Sequence, residues 1–247
     1  MRPLRSHLPP RVELGCHGSN MAALPQYKAN DRFSIFGGTG SGKSVLAHYF
    51  FARIPAGWWK VCVDITDSVT DVSMVDLRPF QPIPWNDGYS FRFVPDLNAD
   101  VEAQVNYLYM QIFQHGLCTI WLDEGNEVST AHRTIRAVRT VLLQGRKAMV
   151  GQIMATPRPA DIDMSFFTQS QFIAVFSLIA WEDRYRVARN FGMARAEFDE
   201  EMFRLPTYGF LFYEVATHRL WRMPPLSREV ITRLNAISSV SRQITAA

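Results

Sequence analysis

Four glycines, a lysine and a serine fall at fixed spacing in Gly37-Gly38-Thr39-Gly40-Ser41-Gly42-Lys43-Ser44. Glycines let a backbone curl until its N–H groups converge, and converging N–H groups make a nest for an anion. A lysine directly after such a loop supplies a point charge, and the hydroxyl after it suits a magnesium ion. This is a complete Walker A phosphate-binding loop. Lys43 is expected to reach the β- and γ-phosphates of ATP, and Ser44 to ligate Mg²⁺.

About eighty residues on, the apolar run Cys118-Thr119-Ile120-Trp121-Leu122 ends in Asp123-Glu124. A strand that ends in a carboxylate beside a phosphate loop has the Walker B pattern. Asp123 is expected in the magnesium shell. Glu124 is the candidate to orient and deprotonate an attacking water. Glutamate directly after aspartate points to hydrolysis of ATP, and the chain has no Asn-Lys-x-Asp motif for reading guanine.

The elements that must position these groups are legible around them. Phe33-Ser34-Ile35-Phe36 reads as a short buried strand before the loop, and about 44–54 as the helix after it, stopped by Pro55 and Gly57. Further strands are expected at 60–64, 91–94, 117–122, 149–156 and 172–176. Helices are expected at 100–115, capped by Asn98, and at 130–144, 181–191 and 196–203. The segment 68–87, with Pro79, Pro82 and Pro84, reads as irregular, and 208–215 with 219–223 as a β-hairpin. Nearly unbroken apolar strands alternating with helices indicate a parallel sheet covered on both faces. The expected fold is therefore α/β: a P-loop NTPase of the ASCE/RecA-like kind, with a mostly parallel central sheet flanked by helices and a C-terminal hairpin. Residues 1–30 read as an N-terminal extension, and 31–247 as one ATPase domain.

Composition excludes several other classes. The 247 residues are 47% hydrophobic and 20% charged, which suits one globular core rather than a disordered chain. The formal charge of +3 permits contact with nucleic acid without arguing for it. Cys16, Cys62 and Cys118 lack the paired spacing of a zinc site. No stretch approaches a membrane span, and no apolar run follows Arg2 and Arg5 as a secretory signal would require. The expected location is the host cytoplasm or the virion.

A third patch is Gln144-Gly145-Arg146-Lys147, leading into Val150-Gly151-Gln152-Ile153-Met154-Ala155-Thr156-Pro157-Arg158-Pro159. Walker A, a strand ending Asp-Glu, a helix, Gly-Arg-Lys, and an apolar strand running into Arg-Pro-x-Asp-Ile follow one another in that order. This order resembles the FtsK/HerA superfamily of DNA-pumping ATPases, and within it the genome-packaging ATPases of double-jelly-roll viruses and phages. The resemblance covers roughly residues 31–225.

The resemblance implies a homo-oligomeric ring, hexamer or pentamer, with each active site at a subunit boundary. It also implies a trans-acting arginine that stabilises transition-state charge on the neighbour's γ-phosphate. Arg146 is the first candidate for that arginine and Arg139 the reserve. The family usually places a polar sensor just before Arg-Pro, where this chain has Pro157. Thr156 and Gln152, on one side of the strand, are the candidates to replace it. For DNA phosphates the candidates are Arg133 and Arg136, with Arg139, on the helix after Walker B, and Arg184 and Arg186, with Arg189, further on.

The leading expectation is an ATPase motor that moves double-stranded DNA into a viral or phage capsid, docked on a capsid vertex protein. One rival is a phage assembly or secretion ATPase acting on protein, which usually carries a membrane span. Another is a P-loop kinase or nucleotide-dependent regulator, which needs an acceptor site and an arginine-rich lid.

Overall fold

A computed structural model describes residues 11–14, 27–69, 74–86, 90–232 and 234. Its strands are β1 (Arg11–Leu14), β2 (Arg32–Phe36), β3 (Trp59–Asp64), β4 (Val75–Leu77), β5 (Ser90–Phe93), β6 (Cys118–Asp123), β7 (Val150–Thr156), β8 (Phe172–Val175), β9 (Phe210–Glu214) and β10 (Arg219–Met223). They form a single sheet in the order β1-β10-β9-β8-β2-β7-β6-β3-β5-β4. Every pairing is parallel except those of β9, which runs antiparallel to both β8 and β10. The parallel sheet and the closing hairpin are those expected. The helices are α1 (Lys43–Ala52), α2 (Val101–His115), α3 (Arg136–Gln144), α4 (Ser165–Thr168), α5 (Trp181–Phe191) and α6 (Arg195–Phe203).

Alternation along each strand builds two cores. Phe33 and Ile35 of β2, Trp121 of β6 and Ile153 and Ala155 of β7 join Leu46, Phe50 and Phe51 of α1 on one face. Phe36, Ile120, Leu122 and Met154 join Val105, Leu108 and Ile112 of α2, and Val138 and Val141 of α3, on the other. Burial on both faces is why the strands read as continuous apolar runs.

Several boundaries differ from the sequence reading, each for a local reason. The cap of α2 is Asp100, whose carboxylate accepts the Ala103 N–H at 2.9 Å; Asn98 lies outside the helix. α3 starts at Arg136 rather than near residue 130. Ser129 and Thr134 are joined by a β-bridge and by a 2.8 Å hydroxyl contact, and the Ile135 N–H donates to Val128 at 3.1 Å. That loop uses the donors a helix would need. The proline-rich segment read as irregular contains β4, a short strand at the sheet edge. Arg11–Leu14, inside the stretch read as an extension, pairs in parallel with β10. The remaining residues of 1–26 lie outside the described residues.

Candidate nucleotide site

The phosphate loop leaves β2 and enters α1, pinned at its start by the strands on either side. The Gly37 N–H donates to Thr156 O at 3.3 Å at the end of β7, and the Gly38 N–H to Ser177 O at 3.1 Å beyond β8. Gly40 and Gly42 take left-handed backbone, φ 74° and 105°, which curls the chain before α1 begins at Lys43. Lys43 is buried, 5% exposed, and its Nζ donates to Gly38 O at 3.2 Å. Burial lowers its pKa, against the raising pull of Glu124 and Asp123. Ser41 Oγ is buried with no hydrogen-bond partner.

β7 lies between β2 and β6, so the carboxylate that ends β6 faces the loop from two strands away. Ser44 spans the gap, its hydroxyl donating to Asp123 Oδ1 at 3.3 Å. The Ser68 hydroxyl donates to Asp123 Oδ2 at 3.4 Å. Asp64, at the end of β3, is the register partner of Asp123. Burial and the Asp64 charge hold the Asp123 carboxyl above the usual range, against the lowering effects of Ser44 and Lys43. Glu124 turns off the strand with φ 56° and is half-buried. Burial raises its pKa, opposed by Lys43 and reinforced by Asp123 and Glu127. Asp64, Ser68 and Arg92 carry no sequence signal of their own, because they come together from the end of β3, the loop after it and β5.

Two cavities open beside the loop. One, about 420 Å³, runs past Lys43, Ser44 and Val45 between Phe176, Tyr208 and Leu226, and its walls are largely apolar. The other, about 440 Å³, lies across Gly38–Ser41 from Ile179, Met202 and Pro206. An apolar cleft that ends in converging polar groups is the usual form of a nucleotide site.

Other candidates are dispersed. Thr156 is at the loop, and its hydroxyl donates to Asn126 Oδ1 at 3.0 Å. Gln152 is not there: it sits four residues back along β7, at ~3.3 Å per residue roughly 13 Å from the strand end. It is buried, and its side-chain amide makes no hydrogen bond. Gln152 pairs with Arg32, at the end of β2 away from the phosphate loop, and so is not placed to act as the sensor. Arg146 is exposed, just before β7 begins. It lies near Arg32, whose pKa is lowered by burial and then by the Arg146 charge. Arg32 opens β2 and the phosphate loop follows its other end, so Arg146 lies by the end of β2 opposite its own Lys43.

Arg133 precedes α3 instead of lying on it, and pairs with Glu102 at 2.6 Å. Arg136 and Arg139 are exposed on α3. Arg184 is held inside the fold by Asp199 at 2.7 Å and by the carbonyls of Leu178 and Ile179. Arg186 donates to Ile162 O at 2.6 Å and lies over the Phe167 ring. Arg184 is thus ion-paired within its own fold, and Arg186 gives one of its N–H groups to a carbonyl, so both are tied to the fold rather than standing on an open helix face.

The residues present fit a magnesium nucleotide. Among the described residues no group of three or more His, Cys, Asp or Glu could hold a metal. Magnesium bound with phosphates and waters needs only one or two protein ligands, and Ser44 with Asp123 matches that need. The orphaned Ser41 hydroxyl and the left-handed glycines suit an anion in the loop. No helix among the described residues is long and apolar enough to cross a membrane.

No protein-family model matches the chain. It is 27% identical over 164 residues, 63% of this chain and 68% of that protein, to the DNA packaging ATPase P9 of Enterobacteria phage PRD1. Its fold matches the genome packaging NTPase B204 of Sulfolobus turreted icosahedral virus 2 in complex with ATP-gammaS. The TM-score is 0.65 at 20% identity, over 81% of this chain and all (100%) of that one. EssC (ATPases 2 and 3) of Geobacillus thermodenitrificans matches with TM-score 0.60 at 11% identity, over 87% of this chain and 44% of that one. The chain has the P-loop NTPase fold, and it is similar in sequence and in structure to viral genome-packaging ATPases.

Proposed function

We propose that this protein is an ATP-hydrolysing motor that drives double-stranded DNA, the genome of a virus or phage, into its capsid. The observation that carries this reading is one site that joins a complete phosphate loop to Asp123-Glu124. That site lies in a chain similar over 164 residues to a protein named as a DNA packaging ATPase.

In this reading the loop N–H groups and the Lys43 ammonium hold the β- and γ-phosphates. The base lies in the apolar cleft between Val45, Tyr208 and Leu226. Ser44 and Asp123 would hold Mg²⁺, which when bound would supply positive charge to the phosphates. Glu124 accepts the proton of the attacking water as its oxygen bonds to the γ-phosphorus and the β–γ bridging oxygen departs with ADP. Its raised pKa makes it a stronger base than an ordinary surface glutamate. Thr156 ties the loop to the Glu124 turn through Gly37 and Asn126, so it stands closest to a sensor.

The chain works as a ring of five or six copies docked on a capsid vertex protein, with Arg146 supplied to the neighbouring site. The position of Arg146, exposed and near Arg32 at the far end of β2 from its own loop, supports a role in trans. The exposed Arg136 and Arg139 on α3 and Arg189 on α5 are the leading candidates for DNA phosphates. Lys43→Ala is expected to abolish hydrolysis, and a variant with normal turnover would contradict the catalytic assignment. Mass in solution with an ATP analogue and DNA is expected to show the ring, whereas a monomer throughout would contradict it.

A further inference from the structure

The end of β3 carries a buried carboxylate that the hydrolytic chemistry above does not use. Asp64 is 0% exposed and is the register partner of Asp123. Arg92 reaches it from β5, donating Nε at 3.0 Å and Nη2 at 2.7 Å to Asp64 Oδ2. Arg92 also pairs with Asp67, and with Asp76 at 3.6 Å. The loop after β3 wraps around the same carboxylate: Ser68 N–H donates to Oδ1 at 3.0 Å and Val69 N–H to Oδ2 at 2.9 Å.

This wrapping has a direct result at Asp123. Folding the loop onto Asp64 brings the Ser68 hydroxyl to Asp123 Oδ2 at 3.4 Å. Thr66 Oγ1 donates to Ser68 Oγ at 3.2 Å, which turns the Ser68 proton toward Asp123. Ser44 meets the other oxygen at 3.3 Å. Both oxygens of Asp123 are thus oriented by hydroxyls, one from the phosphate loop and one from the Asp64 loop.

We propose that Asp64, Arg92 and Ser68 form a positioning unit that orients Asp123 for the water shell of a divalent cation. The proposal rests on the reading of Asp123 as the carboxylate that meets magnesium. Arg92 has a second role in it. Two neighbouring buried carboxylates repel, and Asp64 and Asp123 are register partners at the ends of adjacent strands, both buried. The guanidinium of Arg92 compensates Asp64 so that Asp123 is left as the carboxylate open to a cation. Groups that orient a metal's ligands tune affinity for the metal rather than for the organic part of its complex.

The test uses the full chain with Mn²⁺ as a spectroscopic probe. Mn²⁺ binding in the presence of ADP is followed by electron paramagnetic resonance, and binding of a fluorescent ATP analogue is followed in EDTA. Ser68→Ala and Arg92→Gln are each expected to weaken Mn²⁺ binding by about 10- to 100-fold while analogue binding in EDTA stays at wild-type strength. Arg92→Lys, which keeps the charge, is expected to recover part of the loss. Should Arg92→Gln fail to fold, Ser68→Ala, which removes only a hydroxyl, decides alone. Wild-type Mn²⁺ affinity in Ser68→Ala would overturn the proposal while leaving the nucleotide site standing. A wild-type protein that binds no Mn²⁺ with ADP would remove the nucleotide reading, and this proposal with it.

Discussion

Gly37 and Gly38 are adjacent, identical and both in the phosphate loop, yet the structure separates them sharply. A Cβ at Gly37 would lie 2.5 Å from Phe176 Cβ and 2.7 Å from Ser41 Oγ. Ordinary carbon contacts are at roughly 3.5–4.0 Å, so about 1 Å of relief is needed. Phe176 cannot readily supply it. Its N–H donates to Phe36 O at 2.7 Å, and its ring packs on Phe210 with centroids 5.1 Å apart. The loop must therefore move, and overpacking of this kind costs about 1–3 kcal/mol. For a chain of this size that is a drop of roughly 2–12 °C in melting temperature.

At Gly38 the nearest atom to an added Cβ is Ser177 O at 3.7 Å, and the backbone is not left-handed. Gly38→Ala is thus free of strain, and it stiffens the unfolded chain by about 0.4–1 kcal/mol in favour of folding. Thermal unfolding of the nucleotide-free protein, followed by circular dichroism, should place Gly37→Ala below wild type and Gly38→Ala at or above it. Equal melting temperatures for the two variants would refute the packing argument.

Three further outcomes follow from the site and its supports. Burial raises the Asp123 pKa, so the folded protein binds that proton more tightly than the unfolded chain does. Its stabilising contribution is present below the ordinary Asp range and is lost as pH rises through the raised value. Asp123→Asn should accordingly melt higher than wild type at pH 7, with the gain shrinking in acid, and should lose Mg²⁺-dependent turnover; a lower melting temperature at pH 7 would contradict the sign. Glu124→Gln should slow hydrolysis by about 10²- to 10⁴-fold with ATP still bound, and the wild-type rate should fall in acid at a pH above the ordinary Glu range, read from a pH–rate profile. Asp100→Ala should cost about 1 kcal/mol in denaturant unfolding through loss of the α2 cap. Asn98→Ala should stay within about 0.5 kcal/mol, and the reverse order would refute the cap assignment.

What the sequence made legible is what lies contiguous along it. The phosphate loop is eight consecutive residues between a strand and a helix, and Asp123-Glu124 ends an unbroken apolar run. Both could be read because spacing alone sets their local geometry. Groups that converge from separate strands could not be. Arg92 meets Asp64 from 28 residues away, and nothing in Ser90–Phe93 marks it as more than a strand arginine. The arginines misled for the same reason. Arg184 and Arg186 read as a free basic face, but α6 places Asp199 against the first, and the carbonyl of Ile162 takes the second. Period-two alternation put Gln152 and Thr156 on one side of β7 correctly, yet it carried no information on which end of the strand meets the loop.

The central claim is that hydrolysis at this site is coupled to duplex DNA. The direct measurement is steady-state ATP turnover of the full chain with and without double-stranded DNA over a series of salt concentrations. Duplex DNA is expected to stimulate turnover, with the stimulation weakening as salt rises because phosphate contacts release counterions, and Lys43→Ala is expected to show no turnover with or without DNA. Turnover that ignores DNA at every salt concentration would contradict it.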